Sequence, residues 1–284
     1  MAAVRAVLDL GVADQEARGH SGTTAFLVAC EKGSVDCIGL LADAECNKDA
    51  VSDGGGTALI LAALSGEAAA VRMVLHLGVK DREVRDQAGF TAFLAACEGG
   101  SVDCIGVLAE AGCDKTTAAD SGGTALILAA HSGEVAAVRA VLGLGVMDRG
   151  ARDTSGRTAF LLACQKGSAE CIGVLAEAGY NKDVVEDNGG TALMLAAHSG
   201  EAAAVRAVLD LGVADREVRD QAGATAFLVA CQKRSAECIS VLAEAGCDTA
   251  ATLPAPDGHG SRRWGARDCS SCSRSSGASG RYRQ

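Results

Sequence analysis

Aromatic side chains make up only 3% of the 284-residue chain, with a single Trp, and proline occurs twice. The core must therefore be built from Ala, Leu, Val and Cys, which dominate the apolar 49%. Helices with such small side chains can approach closely. Long apolar runs are missing too: nothing nears the eighteen or more consecutive apolar residues of a membrane helix. The amino-terminal run, interrupted by Arg5 and Asp9, makes a poor secretory signal. The chain reads as cytoplasmic, or nuclear, with no membrane association. Enzyme signatures are absent as well: no phosphate-cradling Gly-x-x-x-x-Gly-Lys-Thr loop, no His-Glu-x-x-His helix and no nucleophile elbow. We read the chain as no enzyme, with no catalytic, cofactor-binding or metal-binding residues.

What the sequence has is a period. A Thr-Ala pair opens a short apolar run at Thr24, Thr57, Thr91, Thr124, Thr158, Thr191 and Thr225, at intervals alternating between 33 and 34 residues. Self-similarity at this spacing marks stacked supersecondary units, each burying its apolar face against the next. Two kinds alternate. One carries Thr-Ala-Phe-Leu-x-Ala-Cys-x-x-Gly-Ser-x-x-Cys-Ile, at Thr24, Thr91, Thr158 and Thr225, with Arg234 in place of Gly in the last copy. The other carries Thr-Ala-Leu-x-Leu-Ala-Ala-x-Ser-Gly-Glu, at Thr57, Thr124 and Thr191. We call them the Ala-Cys and Ala-Ala repeats; the full period is a 67-residue pair, which suggests duplication of a two-repeat block. Within the repeat at Thr124, Thr is placed to cap a helix that Gly133 can end in left-handed geometry. A second helix follows, rich in Ala, Val and Leu, with Gly143 and Gly145 at its end.

The run Asp-Ser-Gly-Gly-Thr-Ala-Leu-Ile-Leu-Ala-Ala-His-Ser-Gly around Thr124 resembles the ankyrin repeat, and the resemblance covers roughly residues 1 to 250. It implies an all-α ankyrin-repeat solenoid of about seven full repeats plus an N-terminal half-repeat. The landmarks of tetratricopeptide units, which share the period, are missing. Two departures from the family pattern stand out. Its Thr-Pro-Leu-His run has Ala for Pro and an apolar residue for His: Leu27, Ile60, Leu94, Ile127, Leu161, Met194 and Leu228. Because that His hydrogen-bonds neighbouring loops in the family, this array should depend more on packing and be less rigid. The link from each Ala-Ala repeat to the next Ala-Cys repeat is also one residue longer, which should alter the finger loops and spare the helices.

Eleven of the thirteen cysteines lie in the repeats. Spacings of seven and nine residues do not suit zinc. In the ankyrin register Cys30 replaces an Ala of the first helix and Cys37 an Ile of the second, so both should be buried as small hydrophobes. Ile to Cys gives up on the order of 1 kcal/mol of apolar burial per repeat. The functional alternative is a thiol-rich redox-responsive array in which cysteines of one repeat bridge. Equivalent cysteines two repeats apart, at about 20 Å, could not. Cys269 and Cys272 form half a metal knuckle, with His259 the sole nearby third ligand, short of the four a structural zinc needs.

The ends differ from the middle. Met1 to Asp14 matches the second helix of an Ala-Ala repeat, so it is either a single capping helix or the start of a fragment of a larger ankyrin-repeat protein whose effector domain is absent. From Ala251 to Gln284 the pattern gives way to a Ser/Gly/Arg-rich tail, expected to be disordered. Six arginines against Asp257 and Asp268 leave this tail at +4, so the rest of the chain carries −14 of the total −10. Such an acidic array disfavours nucleic acid and favours a basic partner or its own tail.

The ankyrin resemblance implies a protein–protein interaction module that binds a protein partner through a concave face, built from finger loops and the exposed ends of the first helices. Carried onto this chain, the helix-end positions are Glu31, Lys32, Leu64, Glu98, His131, Gln165, Lys166, His198, Gln232 and Lys233. The fingers contribute Phe90, Arg157 and Asn188. With few aromatic anchors, an interface should be modest or spread over many repeats. The chain is expected to be a monomer; a spacer without a dedicated partner is the remaining rival.

Overall fold

The computed structural model describes residues 5, 14, 16–79, 82–146, 148–213, 216–253 and 262–263. The expected half-repeat over Met1 to Asp14 and the expected disordered tail therefore lie almost wholly outside the described residues.

Each Thr-Ala motif starts a helix for a visible reason. The threonine backbone is extended, and its Oγ1 accepts a hydrogen bond from the N–H three residues on, from Thr24 (to Leu27) through Thr225 (to Leu228), at 3.3 to 3.4 Å. The helices come in pairs: α1 (Ala25–Glu31) and α2 (Val35–Asp43), α3 (Ala58–Leu64) and α4 (Ala68–His76), α5 (Ala92–Glu98) and α6 (Val102–Glu110), α7 (Ala125–Ser132) and α8 (Val135–Gly143). Then follow α9 (Ala159–Lys166) and α10 (Ala169–Glu177), α11 (Ala192–Ser199) and α12 (Ala202–Asp210), α13 (Ala226–Lys233) and α14 (Ala236–Glu244). Every second helix has nine residues, whichever link precedes it. Such short helices are marginal alone, so packing holds them.

The chain forms two compact segments, Met1–Asp153 and Thr154–Gln284. In the first, α1, α3, α5 and α7 stack side by side as one row, and α2, α4, α6 and α8 as another. In the second, α9, α11 and α13 form one row and α10, α12 and α14 the other. The first helices are the more deeply covered: all six residues from Ala92 to Cys97 in α5 are buried. The last repeat's core extends to Ala251, which packs with Ala224 and Leu228. Beyond it, Thr252–Leu253 (β1) pairs antiparallel with Arg262–Arg263 (β2).

Two expectations need correction. The core is not built from small side chains alone: Phe26, Phe93, Phe160 and Phe227, one per Ala-Cys repeat, are at most 1% exposed and are its largest members. Scarce as aromatics are, four of the five phenylalanines serve the core, each worth about 1.5–3 kcal/mol of burial. Cys37, expected inside, is only half-buried, whereas its counterparts Cys104, Cys171 and Cys238 are fully covered. At the positions where the family has His, this chain packs apolar residues. The apolar replacements are all buried, and backbone bonds link successive hairpins: Asp53 N–H to Ser21, Gln87 to Gly54, Asp120 to Ala88, Asp187 to Ser155 and Gln221 to Asn188, at 2.9 to 3.2 Å. The Gln87 and Gln221 amides add bonds to the Asp53 and Asp187 carbonyls.

The longer links carry charge for a reason. Arg82 donates to the Ala111 carbonyl and Arg216 to that of Ala245, each at the carboxyl end of the next repeat's second helix, where a cation offsets the helix dipole. Beside them, Glu83 accepts from the Asp114 N–H and Glu217 from that of Asp248, at 3.0 and 2.9 Å. Arg85 reaches Ala118 and Asp120 in the following hairpin. At these two links the charged residues clamp the link to the repeat that follows it.

Candidate protein-binding site

In the second segment the hairpins and the first helices enclose a groove of about 570 Å³, within the range of ligand sites. Its rim is polar. Arg157 enters from the hairpin before α9 and donates to Gln165 Oε1 at 3.2 Å, holding the end of that helix to the fingertip. The next hairpin supplies Glu186, Asp187 and Asn188, and the one after it Asp220. Met194 and Leu195 of α11 and Val229 of α13 give the groove aliphatic walls, with His198 at the end of α11.

Local chemistry fixes these groups. The Asn188 side-chain oxygen accepts from Gly190 N–H at 2.7 Å, closing the hairpin. Glu186 folds over the same glycine: a Cβ there would lie 2.7 Å from Glu186 Oε2. Glu186 is in consequence 9% exposed. Asp187 stands over the preceding hairpin, its Oδ1 2.2 Å from where a Cβ on Gly156 would be. Asp220 Oδ1 accepts from the Ala222 and Ala224 N–H groups at 2.9 and 2.8 Å. Burial, followed by the charge of Lys233, pushes the His198 pKa below the ordinary 6.5. Among the described residues that line the groove, the charged groups are three carboxylates and one guanidinium.

Of the residues expected at a partner site, the structure brings Arg157, Gln165, Asn188 and His198 together in this groove. Lys166, Gln232 and Lys233 are exposed at the ends of α9 and α13 and do not line it. In the first segment Glu31, Lys32, Leu64 and Glu98 are exposed, whereas Phe90 and His131 are half-buried. Lys32 pairs with its neighbour Glu31 at 3.2 Å, an exposed contact of little energetic weight.

Sequence reading missed the acidic part, Glu186, Asp187 and Asp220. A signal was present: Glu186-Asp187-Asn188 stands where sister repeats have Ser52-Asp53-Gly54 and Ala119-Asp120-Ser121. Arg157 likewise stands where other Ala-Cys repeats have Thr23, Phe90 and Ala224. In a chain of near copies, these departures gather at the groove.

The repeat cysteines have other surroundings. All eleven are free thiols. Burial pushes Cys30 up to about 12 and raises Cys97 and Cys164 further. Since the thiolate is the reactive form, these positions are chemically quiet. Cys269 and Cys272 lie outside the described residues. No helix among the described residues is long and apolar enough to cross a membrane.

Comparison with known proteins agrees with this architecture. The family described as "Ankyrin repeats (3 copies)" matches at residues 2–83, 76–150, 93–185, 146–214 and 160–252. The chain belongs to the ankyrin-repeat family. Among solved structures, the crystal structure of the human ASB11 ankyrin repeat domain is similar to it, with a TM-score of 0.67 at 22% identity. That match covers 78% of this chain and 98% of the ASB11 domain, a likeness of fold. No curated protein matches the sequence. Ankyrin repeats are in general protein-interaction modules, and the fold is typically non-catalytic.

Proposed function

We propose that this chain is a non-catalytic interaction module that binds a protein partner through the face formed by the hairpins and first helices, the face that is concave in the family. The observation that carries this reading is the groove of about 570 Å³ that gathers Arg157, Gln165, Asn188 and His198. Its acidic balance, with −14 on the chain outside the tail, favours a positively charged partner and disfavours nucleic acid. The module acts as a monomer in the cytoplasm or nucleus. The reading is tested by placing a photo-crosslinking residue at Glu98, Gln165, Lys166 or Lys233 on this face, and at Glu177 or Asp210 on the second helices. Partner adducts arising from the first group are the expected result. Adducts from the second-helix positions alone would refute it.

A further inference from the structure

We propose that Asn188 is a site of spontaneous covalent modification, where the side-chain amide nitrogen leaves as ammonia and the residue passes through a succinimide to aspartate and isoaspartate. This goes beyond the partner-binding reading and does not depend on it. The chain has three asparagines: Asn188 precedes Gly189, whereas Asn47 and Asn181 precede Lys48 and Lys182. All three are exposed. In all three the side-chain oxygen accepts the N–H two residues on, at 3.0 Å for Asn47, 2.9 Å for Asn181 and 2.7 Å for Asn188. Their surroundings are thus matched, and the following residue is what differs. Glycine has no Cβ, so its nitrogen swings onto the side-chain carbonyl carbon with nothing in the way. At the same place the hairpins of the other repeats carry Ser21, Gly54, Ala88, Ser121, Ser155 and Ala222, none of which can close such a ring.

In the reaction the Gly189 nitrogen attacks Asn188 Cγ and gives its proton to hydroxide or water. A new C–N bond forms, the bond from Cγ to the amide nitrogen breaks, and ammonia leaves with a proton taken from water. Water then adds to one of the two ring carbonyls, giving aspartate or isoaspartate. One water is consumed and one ammonia released, with no change of oxidation state. The Gly190 N–H bonded to Asn188 Oδ1 stands where negative charge develops as the ring closes. One bond opposes the step: the Gly189 N–H donates to the Glu186 carbonyl at 2.9 Å and must let go. It belongs to a hairpin tip, where local opening requires little free energy. The product changes a joint. The Asn188 carbonyl accepts the Gln221 N–H at 2.9 Å, and the Asp187 carbonyl accepts Gln221 Nε2 at 2.8 Å. Isoaspartate puts an extra methylene into the main chain between these two acceptors and the rest of the turn, which shifts the pair off register and loosens the tie to the last repeat.

The test ages the full folded chain at pH 6 and at pH 8, then follows its tryptic peptides by mass spectrometry. Trypsin isolates the three asparagines from one another, with Asn188 in the peptide 183–206. We expect this peptide to gain the mass of deamidation at least about tenfold faster than the peptides holding Asn47 and Asn181, the ratio that a barrier lower by about 1.4 kcal/mol gives. It should do so faster at pH 8 than at pH 6, because the attacking nitrogen gives up a proton, and should elute as two isomers. Equal rates at the three asparagines overturn the proposal, and so does loss at Asn188 seen only after unfolding in urea. Fresh Asn188→Asp carries the new charge on an unaltered backbone. The Gln221 amide should therefore exchange with deuterium faster in the isoaspartyl chain than in Asn188→Asp; equal exchange would overturn the loosened joint.

Discussion

Gly167 and Glu201 meet so closely that a methyl group added to the glycine would lie 2.7 Å from Glu201 Cγ. The glycine closes α9 at φ 76°, and the glutamate precedes α12 in the following repeat. Gly33 with Glu67 and Gly100 with Glu134 repeat the contact at 2.5 and 2.8 Å. At the corresponding place in the last Ala-Cys repeat, Arg234 holds the same left-handed turn at φ 58°, where an L side chain is strained by about 1–2 kcal/mol.

Gly167→Ala should therefore cost about 2–3 kcal/mol, from the left-handed backbone together with the overlap on Glu201. Arg234→Gly should gain about 0.5–1 kcal/mol, because strain relief is partly offset by a freer unfolded chain. Urea unfolding followed by circular dichroism checks both. Equal effects of the two changes would contradict the contact.

Thr158 is 3% exposed and caps α9 through Leu161 N–H. Replacing it with Val, of similar shape, removes the acceptor and should cost about 1 kcal/mol or more, while Ser retains most of the stability. A Val variant as stable as the Ser variant would show that the hydroxyl is dispensable.

The buried thiols set an alkaline limit. Cys30 ionises near the ordinary 9.0 in the unfolded chain and only at about 12 in the fold. Between those values the unfolded state releases a proton that the folded state keeps. Its contribution is thus fully present below pH 9.0 and falls, by up to about 1.4 kcal/mol per pH unit, as pH rises toward 12. Cys97 and Cys164 are shifted in the same direction. Urea midpoints from pH 8 to 11 should decline less steeply in a chain carrying Cys30→Ala, Cys97→Ala and Cys164→Ala than in the parent.

His198 should titrate below 6.5 by NMR, and Lys233→Met should move it partway back up, since burial is the larger cause and the lysine the smaller. Its depressed pKa means that its contribution to stability is present above pH 6.5 and lost as pH falls through the folded value. No movement on Lys233→Met would leave burial as the sole cause of the shift.

The Asp248 amide, held by Glu217 Oε1 at 2.9 Å, should exchange with deuterium faster in Glu217→Ala. Protection in the middle of α13 should stay unchanged if the clamp is local.

The repeats, the threonine caps and the burial of most cysteines were legible because each depends on a pattern that recurs in register. Seven Thr-Ala pairs say the same thing seven times. What was not legible depends on contacts across repeats. The link at 82–86 reads as solvated charge until Arg82, Glu83 and Arg85 are seen bonding residues about thirty positions away. Phe160 looks like one more apolar letter, and only three-dimensional packing makes it one of the largest residues at the centre. At the site, Arg157 and Asn188 could be named from the repeat register. Glu186 departs from Ser52 and Ala119 at the same register position, but only the cavity shows that it stands beside them.

The joints between repeats have a polarity. An Ala-Cys repeat hands on its closing glycine to a glutamate, as at Gly100 and Glu134, whereas an Ala-Ala repeat hands on its glycine carbonyl to a serine hydroxyl, as from Ser101 to Gly66 at 3.0 Å and Ser235 to Gly200 at 3.1 Å. The two couplings are not interchangeable. Recombination that removes or adds a single repeat would bring mismatched edges together, while an exchange of two preserves every joint. The array is therefore best lengthened or shortened by cutting at the 67-residue period.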